Sequence, residues 1–208
     1  MKSQIGRAGR RAPLSRERIA TEALRVIDEA GLEGLSMRAL GQALGVEAMA
    51  LYHHFPGKGQ LLDAVAELLL AGCECPGPEA GAFPERLRLT LRSYRAVALR
   101  HPHAFPLLTM RRAQTPRALA FFDRVVGLYI EAGFEPAMAA RLFRLAGYFV
   151  GGAGLAEIAS RAQAPDATRP VLEEAAPPDL PHLTAAALHL RVANLDAIFE
   201  FGLEAIVE

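Results

Sequence analysis

The chain has 208 residues, is 51% hydrophobic and 7% aromatic, and carries no formal net charge, so it holds enough apolar material for one large or two modest domains. No apolar run reaches the ~18 residues of a bilayer span without a charge or turn former, and no hydrophobic segment follows the basic N-terminus. A cytoplasmic protein with no membrane partner is therefore expected.

Neutrality hides an asymmetry. Residues 1–58 hold nine Lys/Arg against six Asp/Glu, and the remainder holds 14 against 17. Six of the basic groups (Lys2, Arg7, Arg10, Arg11, Arg16, Arg18) fall within the first 18 residues. A basic arm over 1–14 on a neutral protein suits a polyanionic partner. The two cysteines, Cys73 and Cys75, form an isolated CxC that reads as reduced thiols near a helix end. No metal and no cofactor are expected.

The apolar spacing is helical nearly throughout, and no segment alternates as a strand would. In the first helix Ile19, Ala23, Ile27 and Ala30 share one face, Ser15 is the N-cap and Gly31 the left-handed stop. Ser36 caps a second helix that points Met37, Leu40, Ala43 and Leu44 inward and ends at Gly45. A short third helix runs from about Glu47 to His54 and is broken by Phe55-Pro56-Gly57. The fourth opens near Lys58. The Gly- and Pro-rich stretch 72–83 reads as a seam between domains. Further helices are expected at about 84–100, 103–112, 116–132 and 136–159. A proline-rich loop over 162–181 follows, then helices at about 182–190 and 192–207.

Residues 35–62, LSMRALGQALGVEAMALYHHFPGKGQLL, have the layout of a helix-turn-helix. The turn needs the positive φ of Gly45, and Leu40, Leu44, Val46 and Leu51 supply a shared apolar face. The second helix of the pair must present groups to the major groove. Arg38 and Lys58 each combine a cation with the free N–H groups of a helix N-terminus, which suits phosphate. Glu47 reads as a cap rather than a DNA contact.

This pattern resembles the tetracycline-repressor (TetR) family of transcriptional regulators over about residues 15–70, most specifically in LYHHFPGKGQLL. The stretches GFEPAMAARLFRLAGYFVGGAGL and NLDAIFEFGLEAIVE are similar to the family's long core helix and closing dimerisation helix. The resemblance implies an all-α chain of about nine or ten helices. Residues 15–58 would be a three-helix DNA-binding domain, and 59–208 a ligand-binding and dimerisation domain entered through the fourth helix. It implies DNA contacts from Arg38, Tyr52, His54 and Lys58. Ala48 and Ala50 stand where the tetracycline repressors carry polar base-reading groups, and with Met49 they leave apolar contacts such as those to thymine methyls. The operator is expected to differ accordingly.

The resemblance also implies a small molecule bound in the C-terminal body. Tyr94, His101, Phe105, Phe122, Tyr129, Phe143 and Tyr148 are the candidate lining groups, and the inducer is expected to be largely apolar. Tetracycline repressors hold a magnesium chelate through His, Thr and Glu. Leu108, Arg111 and Ala156 fall at those places here, so that chemistry is not expected. Gly151, Gly152 and Gly154 suggest a bend or a close helix contact, with Gly151 placed at a dimer seam. Leu195, Ile198, Phe199, Gly202, Leu203 and Ile206 form an apolar stripe suited to a two-fold four-helix interface.

The expected function is thus a homodimeric regulator, most often a repressor, released from a palindromic double-stranded operator by a small-molecule inducer, without enzymatic activity. Two alternatives belong to other classes. One is a helical ligand-binding or scaffold protein that does not bind DNA. The other is a helical metalloenzyme using His101, His103 and Glu157.

Overall fold

The computed structural model describes residues 13–110, 115–163, 179–189 and 194–207. Residues 1–12 of the basic arm, Arg111, and nearly all of the proline-rich 162–181 stretch lie outside the described residues. The chain divides into two compact units, Met1–Val65 and Ala66–Glu208. All regular structure among the described residues is helical.

In the first unit, α1 (Arg16–Gly34) starts where the Ser15 hydroxyl accepts a hydrogen bond from the Arg18 N–H at 3.2 Å. That bond satisfies one of the donors a helix start leaves unpaired. Ile19, Ala20, Ala23 and Ile27 form its buried face. Gly31 has a positive φ of 72°, but it kinks the helix and does not end it; the helix runs on to Gly34. α2 (Met37–Leu44) is capped by Ser36, whose hydroxyl accepts from the Ala39 N–H at 3.1 Å. It ends at Gly45, which is left-handed at φ 68°, ψ 39°, a conformation only glycine adopts without strain. α3 (Ala48–Tyr52) follows directly. Glu47 sits at its N-cap position but makes no side-chain capping bond.

A five-residue helix has no stability of its own, so tertiary burial must hold α3. Leu51 and the following Phe55 are both fully buried, as are Leu40, Leu61 and Val65, each contributing roughly 1.5–3 kcal/mol. Leu61 and Val65 belong to α4 (Lys58–Ala71). The two-unit division therefore falls inside that helix, after Val65, rather than at Lys58 or in the Gly- and Pro-rich stretch. That stretch is instead fastened to the second unit. The Glu74 N–H donates to the Ser93 hydroxyl at 2.8 Å, and Arg86 donates to the Pro76 carbonyl at 3.1 Å.

The second unit contains α5 (Phe83–Arg100), α6 (Pro106–Met110), α7 (Pro116–Glu131), α8 (Pro136–Gln163), α9 (Pro181–Ala186) and α10 (Leu195–Val207). Prolines open the first turn of α5, α7 and α9, where a missing N–H costs nothing. α8 packs on α5 and α7, and α10 packs on α5 and α8. Pro136–Ala162 has the length and mean hydropathy of a bilayer span, but Arg141, Arg144, Glu157 and Arg161 interrupt it, so no uninterrupted apolar run of that length occurs there. Its packing on α5 and α7 makes it the central helix of this unit. The helix continues through Gly151, Gly152 and Gly154. At Gly154 a side chain would stand 2.8 Å from the Phe105 ring and 3.1 Å from Ala98, so the close contact there lies within the chain.

Candidate nucleic-acid interface and ligand cavity

The helix-turn-helix is α2, Gly45 and α3. Its tightness depends on a residue that the motif reading passed over. A Cβ at Gly41 would stand 2.9 Å from the Val46 carbonyl oxygen and 3.3 Å from the Ala48 nitrogen. The Val46 N–H also donates to the Gly41 carbonyl at 2.9 Å. The signal was a glycine inside an otherwise good helix, which costs roughly 0.5–1 kcal/mol and needs a reason.

On the outer side of α3, Met49 is 68% exposed and Tyr52 43% exposed. Ala48, Ala50 and His54 are half-buried, while Arg38, His53 and Lys58 are exposed. Arg38 stands in the first turn of α2. Lys58 opens α4, and its ammonium donates to the Leu32 carbonyl at 3.2 Å. The C-terminal end of α3 is fixed by Arg16, a second residue the sequence reading did not single out. Its guanidinium donates to the His54 carbonyl and lies 4.1 Å from the centre of the buried Phe55 ring. A cation over a desolvated ring is worth about 1–2 kcal/mol. Arg16 had counted only as one charge of the basic arm.

In the second unit, α5, α6, α7 and α8 enclose a cavity of about 390 Å³. Its aromatic wall is Tyr94, Phe121, Phe122, Phe143 and Tyr148. Phe122 stands edge-on to both Phe121 and Phe143, at centroid distances of 6.0 and 5.8 Å. Thr90, Thr109 and Arg144 are its polar lining, and Leu108 contributes as well. Gly147, Gly151 and Gly152 also border it; a Cβ at Gly147 or Gly152 would meet nothing within 4 Å, and one at Gly151 only the Thr109 methyl at 3.5 Å. The absent side chains on α8 therefore make the room.

Four of the seven expected lining groups, Tyr94, Phe122, Phe143 and Tyr148, surround this cavity. The other three stand elsewhere. Phe105 is fully buried beneath Gly154 and edge-on to Tyr94. Tyr129 is buried in a cluster with Phe83 and Phe134; burial pushes its hydroxyl up to about 12. His101 ends α5, and its carbonyl accepts from the N–H groups of Ala104 and Phe105. Gly151, expected at a dimer seam, faces the cavity.

The expected interface stripe on α10 also divides. Phe199 is only 3% exposed and stacks on Phe149 at 5.5 Å. Leu203 is fully buried, and a side chain at Gly202 would overlap the Phe149 ring. Leu195 and Ile206 are half-buried, and Ile198 is exposed. The face that remains open carries Ile198, Ala205 and Phe201, the last 79% exposed. On α8 the open face runs through Leu145, Tyr148, Gly152, Ala156 and Ala159.

α10 is held to α5 by a ladder of ion pairs: Arg88 to Glu204 at 2.6 Å, Arg92 to Glu200 at 2.7 Å, and Arg95 to Asp196. Arg95 and Arg161 both also bind Glu157, each at 2.7 Å. Burial pushes the Glu157 carboxyl up, but hydrogen bonds from Arg95 and Arg161 outweigh it and hold the group below its ordinary range. The carboxylate that the metalloenzyme alternative needs is thus engaged by two arginines. Among the described residues, no three His, Cys, Asp or Glu side chains form a metal-binding group. Cys73 is buried, and its thiol is pushed up to about 12 by that burial.

Comparison with known proteins matches both units. Residues 19–65 fit the family of bacterial regulatory proteins of the tetR type, and residues 75–208 fit the tetracyclin repressor-like C-terminal domain. The tetracycline repressor protein class A from transposon 1721 of Escherichia coli is 34% identical over 89% of this chain and 85% of its own length. The transcriptional repressor DrrR1 of Streptomyces coeruleorubidus is 32% identical over 71% of this chain, which spans 57% of that relative. A possible TetR family regulator from Streptomyces coelicolor A3(2) superposes with a TM-score of 0.82 at 34% identity, covering 93% of this chain and 97% of that one. ActR of Streptomyces coelicolor, in complex with actinorhodin, gives 0.81 at 30% identity over 94% and 96%. With a helix-turn-helix head, a cavity-bearing helical body and both family domains matched in order, the chain belongs to the TetR family and is a DNA-binding, ligand-responsive transcriptional repressor.

Proposed function

We propose that the protein works as a homodimer on a near-palindromic double-stranded operator and is released from it by a small molecule seated in the 390 Å³ cavity. The observation that carries the DNA part is the outer surface of α3. Met49 and Tyr52 project there, and the exposed cations Arg38 and Lys58 stand in the first turns of the helices before and after it. Arg38, Tyr52, His54 and Lys58 engage phosphates, while Ala48, Met49 and Ala50 give an apolar reading edge that fits thymine methyls. Two such edges, about 34 Å apart, meet successive major grooves.

The pairing surface is the open apolar face of α8 and α10, Leu145, Tyr148, Gly152 and Ala156 with Ile198 and Phe201. Small residues at 152, 156 and 159 allow two such helices to approach closely. Occupying the cavity lowers operator affinity by no more than the ligand's differential affinity for the two states of the protein. The role is regulatory binding rather than catalysis, carried out in the cytoplasm where the DNA is.

The test is selection of bound fragments from the source genome, followed by salt titration of the selected site. Lys58→Ala is expected to weaken all sequences alike and to make the slope of log affinity against log salt shallower by about one. An unchanged slope removes Lys58 from the phosphate contacts, and failure to select any sequence removes the operator-binding reading.

A further inference from the structure

The cavity carries more information than its volume. Among the described residues that line it, Arg144 is the single charged side chain. It is exposed at the cavity's edge and has no ion pair with any described residue. No carboxylate lines the cavity to answer it. Farther in, Tyr94 makes no hydrogen bond to a described residue, and burial raises its hydroxyl well above the ordinary tyrosine value. It therefore stays protonated and is a donor. The Thr90 hydroxyl already donates to the Arg86 carbonyl at 2.8 Å, and that of Thr109 to the Pro106 carbonyl at 3.0 Å. The site thus offers a guanidinium fork and a phenol, both unspent donors, in a wall that is otherwise aromatic and aliphatic.

We propose that the inducer is a flat aromatic acid whose fused rings lie among Phe121, Phe122, Phe143 and Tyr148 and whose carboxylate meets Arg144. This rests on the reading of the cavity as the inducer site. Rings that already stand edge-on to one another accept a further flat ring more readily than a branched aliphatic chain. A guanidinium fork matches the two oxygens of a carboxylate. A neutral ligand would leave Arg144 unused, and an ammonium would be repelled by it. A volume of about 390 Å³ lies at the small end of the roughly 300–1,000 Å³ of ligand pockets, which suits two or three fused rings.

The experiment titrates the purified full-length chain with three fluorescent probes: 2-anthracenecarboxylate, its methyl ester, and 2-anthracenylmethylammonium. The expected order is acid over ester by about tenfold, one charge-assisted contact in equilibrium terms, with the ammonium weakest. In Arg144→Gln the ester should bind as before, and the acid should fall to the ester's level. Binding of the acid should also weaken with added KCl in the wild-type chain but not in the variant. An ester that binds as well as the acid, or an acid preference that survives Arg144→Gln, overturns the assignment of the ligand class. Gly151→Leu, which takes up about a third of the cavity, separates the two readings. If none of the three probes binds the wild-type chain, the ligand class falls and the reading of the cavity as the inducer site is untouched; if the variant leaves acid binding intact, the acid binds outside the cavity and both readings fail.

Discussion

Filling the cavity should stabilise the protein while silencing its response. Gly151 is buried within α8 and borders the cavity, and an added Cβ would meet only the Thr109 methyl, at an ordinary 3.5 Å. Gly151→Leu therefore adds four carbons to open space. At roughly 30 Å³ each, taking the volume of a water molecule, they occupy about 120 Å³ of the 390 Å³. Two effects stabilise. Replacing glycine inside a helix contributes about 0.8–1 kcal/mol, and burying a leucine side chain contributes about 1.5–3 kcal/mol. Fixing the leucine rotamer costs about 0.5–1 kcal/mol, and the open mouth of the cavity reduces the burial. A net gain of about 1–2 kcal/mol remains, or a Tm higher by about 2–8 °C for a chain of this size. Thermal unfolding followed by circular dichroism reads the first effect. Operator release by inducer, measured by fluorescence anisotropy of a labelled fragment, reads the second. The variant should bind DNA as the wild type does and fail to let go. A lower Tm would mean that the space beside Gly151 is not open. Undiminished release would mean that the ligand sits elsewhere.

Three further outcomes follow from the same geometry. The Tyr129 hydroxyl is buried with no hydrogen-bond partner among the described residues, so Tyr129→Phe should raise the urea midpoint by the equivalent of about 1 kcal/mol; a clear loss would reveal a partner. Phe201→Asp removes a side chain that is 79% exposed, so it should leave the fold intact and give monomers by sedimentation, whereas an unchanged dimer would move the interface off α10. The Glu157 carboxyl is held below its ordinary range by Arg95 and Arg161 against the opposing effect of burial. The stability it contributes is therefore present above the ordinary carboxylate pKa of about 4.3 and lost as pH falls through its lower folded value. Glu157→Gln, which strips the charge from a pair 13% and 4% exposed, should cost about 3 kcal/mol at pH 7. It should also flatten the acid side of the stability curve, and an unaltered acid limb would show that other carboxylates control it.

The head was largely legible in the sequence because its signals are local. Ser15 and Ser36 cap the helices whose starts they mark, Gly45 takes the left-handed turn, and Leu40, Leu44 and Leu51 are buried. Gly41 meets Val46 and Ala48 just beyond the turn, and its only signal was a glycine inside a helix; Arg16 was not legible as a determinant because its partner is distant in the chain. The contact of Arg16 with His54 spans 38 residues, and no helical period reports it. The cavity was half legible. Aromatic residues in apolar helices can be picked out, but whether Phe105 or Phe122 faces open space depends on how α6 and α7 meet α8. Gly154 settles it for Phe105 by admitting the ring against the helix backbone.

The same limit decides the last helix. α10 is apolar on nearly every side, so no stripe in it distinguishes a face for its own core from a face for a partner. Phe199 and Phe201 are two positions apart, about 200° around the helix, and they face opposite ways: the first is 3% exposed, the second 79%. The rotation is fixed by charges rather than by apolar periodicity. Asp196, Glu200 and Glu204 recur every fourth residue, and Arg95, Arg92 and Arg88 run antiparallel to them on α5. The partly exposed rungs are each worth little by themselves, about 0–1 kcal/mol, so they do not hold the helix down. Phe199 against Phe149 and the fully buried Leu203 do that. What the ladder contributes is register. A rotation by one residue, about 100°, would carry the acids away from the arginines together and bring Ile198 toward the core in place of Phe199. The acids therefore select which side of an all-round apolar helix is left open, and that side, with Ile198 and Phe201, is the one available to a second copy.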